Sequence, residues 1–193
     1  WSSDVCSSDL SFYVLDQINL TDYKVRKVTY PAGVVTTYSK YPNNIFNYVT
    51  GILYINGIYY SDGRYVKNSS DAIIYDSQRD GFVGISLMQM YQSNVFVVSG
   101  TGTVMSVFDV NNPSVTKLRI VAPLGTFDSF SVQGDTITGN IYYSSYNSIY
   151  KLNRINNTSS VYATGFTVSG IKSVAVNTLL GLNKIAVIDN NQI

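Results

Sequence analysis

Gly139-Asn-Ile-Tyr-Tyr-Ser-Ser-Tyr-Asn-Ser-Ile-Tyr-Lys-Leu-Asn153 reads as two short strands, residues 141–143 and 148–152, around a polar turn at 144–147. The same hairpin recurs along the chain. Asn94-Val-Phe-Val-Val-Ser-Gly-Thr-Gly-Thr-Val104 is one copy, Gly57-Ile-Tyr-Tyr-Ser-Asp-Gly-Arg-Tyr-Val66 another, and Lys184-Ile-Ala-Val-Ile-Asp-Asn-Asn-Gln-Ile193 a third. The first strand residues, Ile58, Val95, Ile141 and Ile185, stand 37, 46 and 44 residues apart. A period of roughly 40–45 residues carrying four strands predicts a β-propeller blade. A second element repeats as well. Leu15–Arg26 aligns with Phe108–Arg119 at an offset of 93, matching Asp16 to Asp109 and Lys24 to Lys117. This alignment predicts that residues 12–16 and 23–30 are the third and fourth strands of a first blade.

The units that follow are a half blade at 11–31, blades near 45–77, 81–123 and 126–166, and a half blade at 169–193. Residues 31–44 read as the longest connection, with 34–38 as an added strand. Hairpin turns are expected at 61–63, 99–102 and 144–147, where Ser, Asp, Gly and Asn favour turn backbone. Inner strands are expected at 52–55, 88–92, 129–133 and 173–177. Several run continuously apolar, as strands do when blades stack on both of their faces. No segment carries a helical period.

At Gly139–Asn153 above all, the chain resembles the YVTN/NHL-like β-propellers, whose blades carry a Gly-x-Ile/Leu-Tyr-Val-small…Asn-x-Ile/Val hairpin. The resemblance covers nearly everything after Ser11. It implies an all-β fold of four-stranded antiparallel blades and leaves activity open, since propellers host many functions. Blade lengths vary, and no copy holds the full Tyr-Val-Thr-Asn tetrad.

The 193 residues hold three whole blades and two partial ones, whereas closed propellers have typically four to eight. The reading is therefore an incomplete arc of a larger propeller; the alternative is a small ring closed by pairing 184–188 with 12–16. Residues 1–10, Trp-Ser-Ser-Asp-Val-Cys-Ser-Ser-Asp-Leu, closely resemble the translated read-through of a sequencing-library adapter from metagenomic assembly. They hold the only Trp and the only Cys of the chain, and are set aside from fold reasoning. A native gene continuing past both termini is the expectation that follows, and the remaining blades of the same chain are then its first partners.

Composition narrows the function classes. The chain has no His, and all twelve acidic residues are Asp. Charged residues are 13% and the net charge is +1, so no electrostatic case exists for nucleic acid or an anionic membrane. No apolar run reaches the roughly 18 residues of a membrane helix. Abundant Tyr, Ser, Thr and Asn fit an exported protein of an acidophilic or thermophilic archaeon or its virus. Sequons at Asn19, Asn68, Asn156 and Asn157 are candidate N-glycosylation sites and agree with export.

Other features are weighed against plain structural roles. Gly100-Thr-Gly-Thr103 lacks the helix that a phosphate cradle needs behind it, and reads as a hairpin turn. Lys24, Arg26, Lys27, Lys117 and Arg119 fall on strands read as bare blade edges, where positive charge discourages edge pairing. Asp16, Asp76, Asp109 and Asp189 precede turns and read as turn formers rather than metal ligands. Tyr38, Tyr41, Tyr146, Asn147 and the Asp62/Arg64 pair fall in connections, where propeller loops carry function. Aromatic and amide side chains there suit glycan or peptide surfaces. These six are the candidate binding residues.

The leading reading is an extracellular or cell-surface binding or scaffold module, for adhesion or a protein or glycan ligand. No catalytic residue, metal or cofactor is assigned. The competing reading is a fragment of a metal-dependent hydrolase of lactonase type, for which Asp128 and Asp135 beside one inner strand are the carboxylates on offer.

Overall fold

The strand Asn94–Ser99 shows how the chain is built, because every one of its residues is buried. Successive side chains on a strand point to opposite faces. Val95 and Val97 pack with Val66, Tyr75, Met88 and Phe108 on one side. Phe96 and Val98 pack with Phe127, Phe130, Ile141 and Tyr143 on the other. The next blade repeats the split: Ile141 and Tyr143 face back into that second cluster, while Tyr142 faces forward onto Ile149, Ile171 and Val174. Fully burying an aliphatic or aromatic side chain contributes roughly 1.5–3 kcal/mol, so each internal sheet is held mainly by its two neighbours.

The computed structural model describes residues 11–17, 22–29, 31–42, 51–54, 57–133, 139–166, 171–177 and 184–189. Five antiparallel meanders follow one another in chain order. The first comprises β1 (Ser11–Gln17), β2 (Asp22–Thr29) and β3 (Val35–Pro42). The second comprises β4 (Gly51–Tyr54), β5 (Ile58–Ser61), β6 (Tyr65–Asn68) and β7 (Ile73–Asp76). The third runs β8 (Ile85–Tyr91), β9 (Asn94–Ser99), β10 (Val104–Asp109) and β11 (Asn112–Val121). The fourth runs β12 (Ser129–Gln133), β13 (Asn140–Ser145), β14 (Ser148–Asn153) and β15 (Thr158–Thr164). The last holds β16 (Ile171–Asn177) and β17 (Lys184–Asp189).

Strand β1 lies against β4, β4 against β8, β8 against β12, and β12 against β16. These are the inner strands of successive blades, and the fold is an all-β propeller arc. A 3-10 turn spans Ser77–Asp80, and no α-helix occurs among the described residues. Among the described residues β17 pairs with β16 and β1 with β2, so β17 does not close a ring on β1.

The first sheet differs from its sequence reading in two ways. Strand β1 takes the inner position beside β4, not the third position in a blade. Residues 35–42 form a full third strand paired with β2, in place of a long connection. The alignment misled because it matched hairpin electrostatics, not blade position. Asp16 stands opposite Lys24 and pairs with Arg26 at 3.0 Å, as Asp109 pairs with Lys117 at 2.8 Å. An acid before the turn and bases after it suit any antiparallel hairpin. Lys24, Arg26 and Lys27 therefore lie on a central strand, and of the five bases only Lys117 and Arg119, on β11, stand on an edge strand of their sheet. Residues 1–10 lie outside the described residues.

Candidate ligand-binding face

Turn chemistry fixes one end of the blades. Among the described residues, the turns between second and third strands and the connections leading into β8 and β12 fall at this end, where backbone hydrogen bonds tie blade to blade. Ile85 N donates to Gly63 O at 2.6 Å and Phe127 N to Gly102 O at 2.7 Å, each joining a 2–3 turn to the residues that open the following blade, while Gly100 N donates to Gly84 O at 2.7 Å within the third blade.

Asp62 and Arg64 stand on the β5–β6 turn at this end. The Asp62 side chain is only 4% exposed; it pairs with Lys67 Nζ at 2.7 Å and accepts from Arg64 N and Tyr65 N at 3.2 and 2.8 Å. Its acceptor capacity is largely committed to shaping the turn. Arg64 pairs with Asp76 at 3.1 Å, donates to Gln78, and lies 4.6 Å above the Tyr65 ring. The Asp76 hydrogen bond raises the guanidinium pKa, and Arg64 in turn holds the Asp76 carboxyl below its ordinary value. Asp76 also accepts from Gln78 N at 3.0 Å, and Asp109 accepts from Asn111 N at 2.9 Å, as expected of turn formers.

Tyr146 and Asn147 form the β13–β14 turn at the same end, two blades further on. Tyr146 is 63% exposed and takes a left-handed backbone, φ 56°. Such a conformation disfavours a bulky residue and marks a place where surrounding contacts impose it. Asp128 supplies that contact: Tyr146 N donates to Asp128 Oδ2 at 3.0 Å, and Thr126 Oγ1 donates to Asp128 Oδ1 at 2.6 Å. Thr126 N donates to Ser145 Oγ at 2.9 Å and Asp128 N to Ser144 O at 3.0 Å. Asn147 Oδ1 accepts from Ser148 Oγ at 3.2 Å. Beside this turn opens a cleft of about 380 Å³ lined by Thr126, Asp128, Tyr146, Ile171 and Lys172. The sequence reading missed Thr126 and Lys172 here, and weighed Asp128 for metal alone. The available signal was Thr-x-Asp placed just before an inner strand.

The remaining candidates lie elsewhere. Tyr38 is the extra residue of a bulge in β3, and Tyr41 pairs with Tyr23 at the end of β3 away from the Gly33 turn. Their side chains lie outside the described ones, as does Asn19 entirely. Asn68 Oδ1 accepts from Ser70 N and Ala72 N, both at 3.0 Å. Asn156 Oδ1 accepts from Thr158 N and, at 2.7 Å, from Thr158 Oγ1, while Asn157 is exposed with φ 52°. No group of three or more metal-ligating side chains occurs among the described residues, and Asp135 lies outside them. No described helix is long and apolar enough to cross a membrane.

No family model matches the chain, and no curated protein matches it. Solved structures do. A chain of the nidogen/laminin complex superposes with TM-score 0.61 at 11% identity, over 94% of this chain and 73% of that one. The β-propeller domain of Myceliophteria thermophila Cps50 (Swd1) gives 0.53 at 11% identity, over 86% and 59%. The extracellular domain of a one-component system from B. thetaiotaomicron gives 0.52 at 9% identity, over 88% and 25%. At such identities the likeness is one of fold, and it agrees with the blade order seen here: the chain is a β-propeller arc.

Proposed function

We propose that this chain is an extracellular or cell-surface binding or scaffold module that holds a protein or glycan ligand on the face carrying Asp62, Arg64, Tyr146 and Asn147. The observation that carries the reading is Tyr146, an exposed aromatic ring held in left-handed backbone by Asp128 at the rim of a cleft. Rigid scaffolds that present functional side chains on turns are the usual way a propeller binds. Low net charge and a surface of hydroxyls and amides support export, as do the exposed sequon residues Asn156 and Asn157.

Arrays of surface glycans and surface proteins, probed with the labelled chain in the presence of a chelator, test the proposal. Retention on at least one ligand without metal is expected, with loss in the Tyr146→Gly variant. Metal-dependent thermal stabilisation or lactone hydrolysis would instead favour the hydrolase.

A further inference from the structure

Two clefts flank one short wall on the turn face. The first, about 300 Å³, opens between the third and fourth blades and is lined by Ser86, Thr101 and Phe127 among others. The second, about 380 Å³, opens between the fourth blade and β16, beside Tyr146 and Lys172. Thr126 and Asp128 line both. We propose that the two clefts are consecutive subsites for one linear, neutral oligosaccharide, at least two sugar units long, that crosses the Thr126–Asp128 wall. The inference rests on the binding reading above and narrows its ligand.

The chemistry left over on this face points to hydroxyl groups. The backbone amides of Ile85, Gly100, Phe127, Asp128 and Tyr146 all donate within the protein. A peptide docking through its main-chain carbonyls finds few amide donors among them. The side chains remain. Each Asp128 oxygen accepts one described hydrogen bond and keeps capacity for another. Lys172 is exposed, and its ammonium carries three donors. In the first cleft Thr101 Oγ1 lies 3.0 Å from Ser99 Oγ and 2.9 Å from Thr103 Oγ1, a chain of groups that both donate and accept.

The Tyr146 ring offers an apolar platform for the C–H face of a sugar. One carboxylate and one ammonium line the second cleft, so it is balanced for a ligand without charge. Each cleft is of the size that takes a small ligand. The wall between them is fixed by four hydrogen bonds to β13 and its turn, so the two subsites keep a constant spacing.

Calorimetric titration of the chain with cellotetraose, maltotetraose, mannotetraose and tetra-N-acetylchitotetraose, each against its monosaccharide, tests this. At least one tetrasaccharide should bind tenfold or more tightly than its monosaccharide. Tyr146→Gly, which strips the ring from a position glycine accepts readily, should weaken that binding tenfold or more. Thr101→Val should abolish the advantage of length while sparing the monosaccharide. Tyr162→Ala, on the outer strand β15, should change neither.

Failure of all four tetrasaccharides to bind overturns the inference, and so does binding indifferent to both Tyr146→Gly and Thr101→Val. Preference for oligogalacturonate over every neutral tetrasaccharide overturns the assignment of a neutral ligand. Retention of a surface protein with none of the sugars bound sinks the sugar proposal while leaving the binding module intact.

Discussion

A methyl group added to Gly84 would stand 2.9 Å from the Gly63 carbonyl oxygen, the atom that accepts from Ile85 N. The collision is with backbone, so neither side can swing away, and the bond tying the second blade to the third must lengthen. We expect Gly84→Ala to cost about 1–3 kcal/mol, the range of a lost buried hydrogen bond. For a domain of this size each kcal/mol lowers Tm by about 2–4 °C, which differential scanning calorimetry resolves. An unchanged Tm would mean that the blades are not joined through Gly63. Much at this scale was legible in the sequence. Ser-Asp-Gly announces the turn at Asp62, because Asp accepts from amides two and three residues on. The pairing of Asp62 with Lys67 was not legible, since it needs the β5–β6 register and the burial that come only with the neighbouring blade. Tyr146 was picked out by its position in a turn, but nothing in the sequence shows that Asp128, eighteen residues earlier, holds its amide.

Between elements, the turn Ser77–Asp80 makes a polar junction with the third blade. Tyr75 stacks on Phe108 with ring centroids 4.7 Å apart, and its hydroxyl donates to Asp80 Oδ2 at 2.8 Å. Thr116 on β11 donates to the same carboxylate at 2.9 Å, and Arg79 reaches Thr116 at 2.9 Å. Burial pushes the Asp80 carboxyl up, but the donated hydrogen bonds and the Arg79 charge outweigh it and leave the pKa below its ordinary value. Asp76 and Asp109 are lowered too, by their hydrogen bonds with Arg64 and Lys117. Lowered carboxylates contribute stability above their unfolded pKa, about 4, and lose it as pH falls through the folded values. Tyr75 shifts the other way: burial, then the Asp80 carboxylate, raises its hydroxyl. Its contribution is whole below the unfolded tyrosine value, about 10, and is lost as pH climbs beyond it. Chemical denaturation across pH should therefore show a plateau from about 5 to 9, falling on both sides. Asp80→Asn should flatten the acid limb, and Tyr75→Phe the alkaline one. Limbs unmoved by either variant would remove this junction from the account. The same charge logic explains the misplaced first sheet, since an acid and two bases around a turn describe a hairpin wherever it stands in a blade.

At the scale of the whole molecule, the sequence told most where repeats were whole. The three four-stranded sheets fall at 51–76, 85–121 and 129–164, and each repeats the same order of apolar strand and polar turn. The ends were harder, since a partial blade lacks the neighbours that identify its strands. Those ends also govern solution behaviour. In β17, Ile185 and Val187 pack back onto the fourth blade's cluster, while Ala186 and Ile188 turn to the opposite face, where Ile188 is 59% exposed. At the first sheet, Val35 at the start of β3 and Val34 in the turn before it are exposed as well. Every internal blade covers both faces, so an uncovered terminal sheet leaves apolar surface of the kind that drives association. We expect the chain by itself to self-associate as concentration rises, with a weight-average mass above that of the monomer in sedimentation equilibrium. Ile188→Lys, placing a charge on the free face of β17, should shift the distribution towards monomer without lowering Tm. A chain that stays monomeric at every concentration would show that these faces are already covered by residues outside those described.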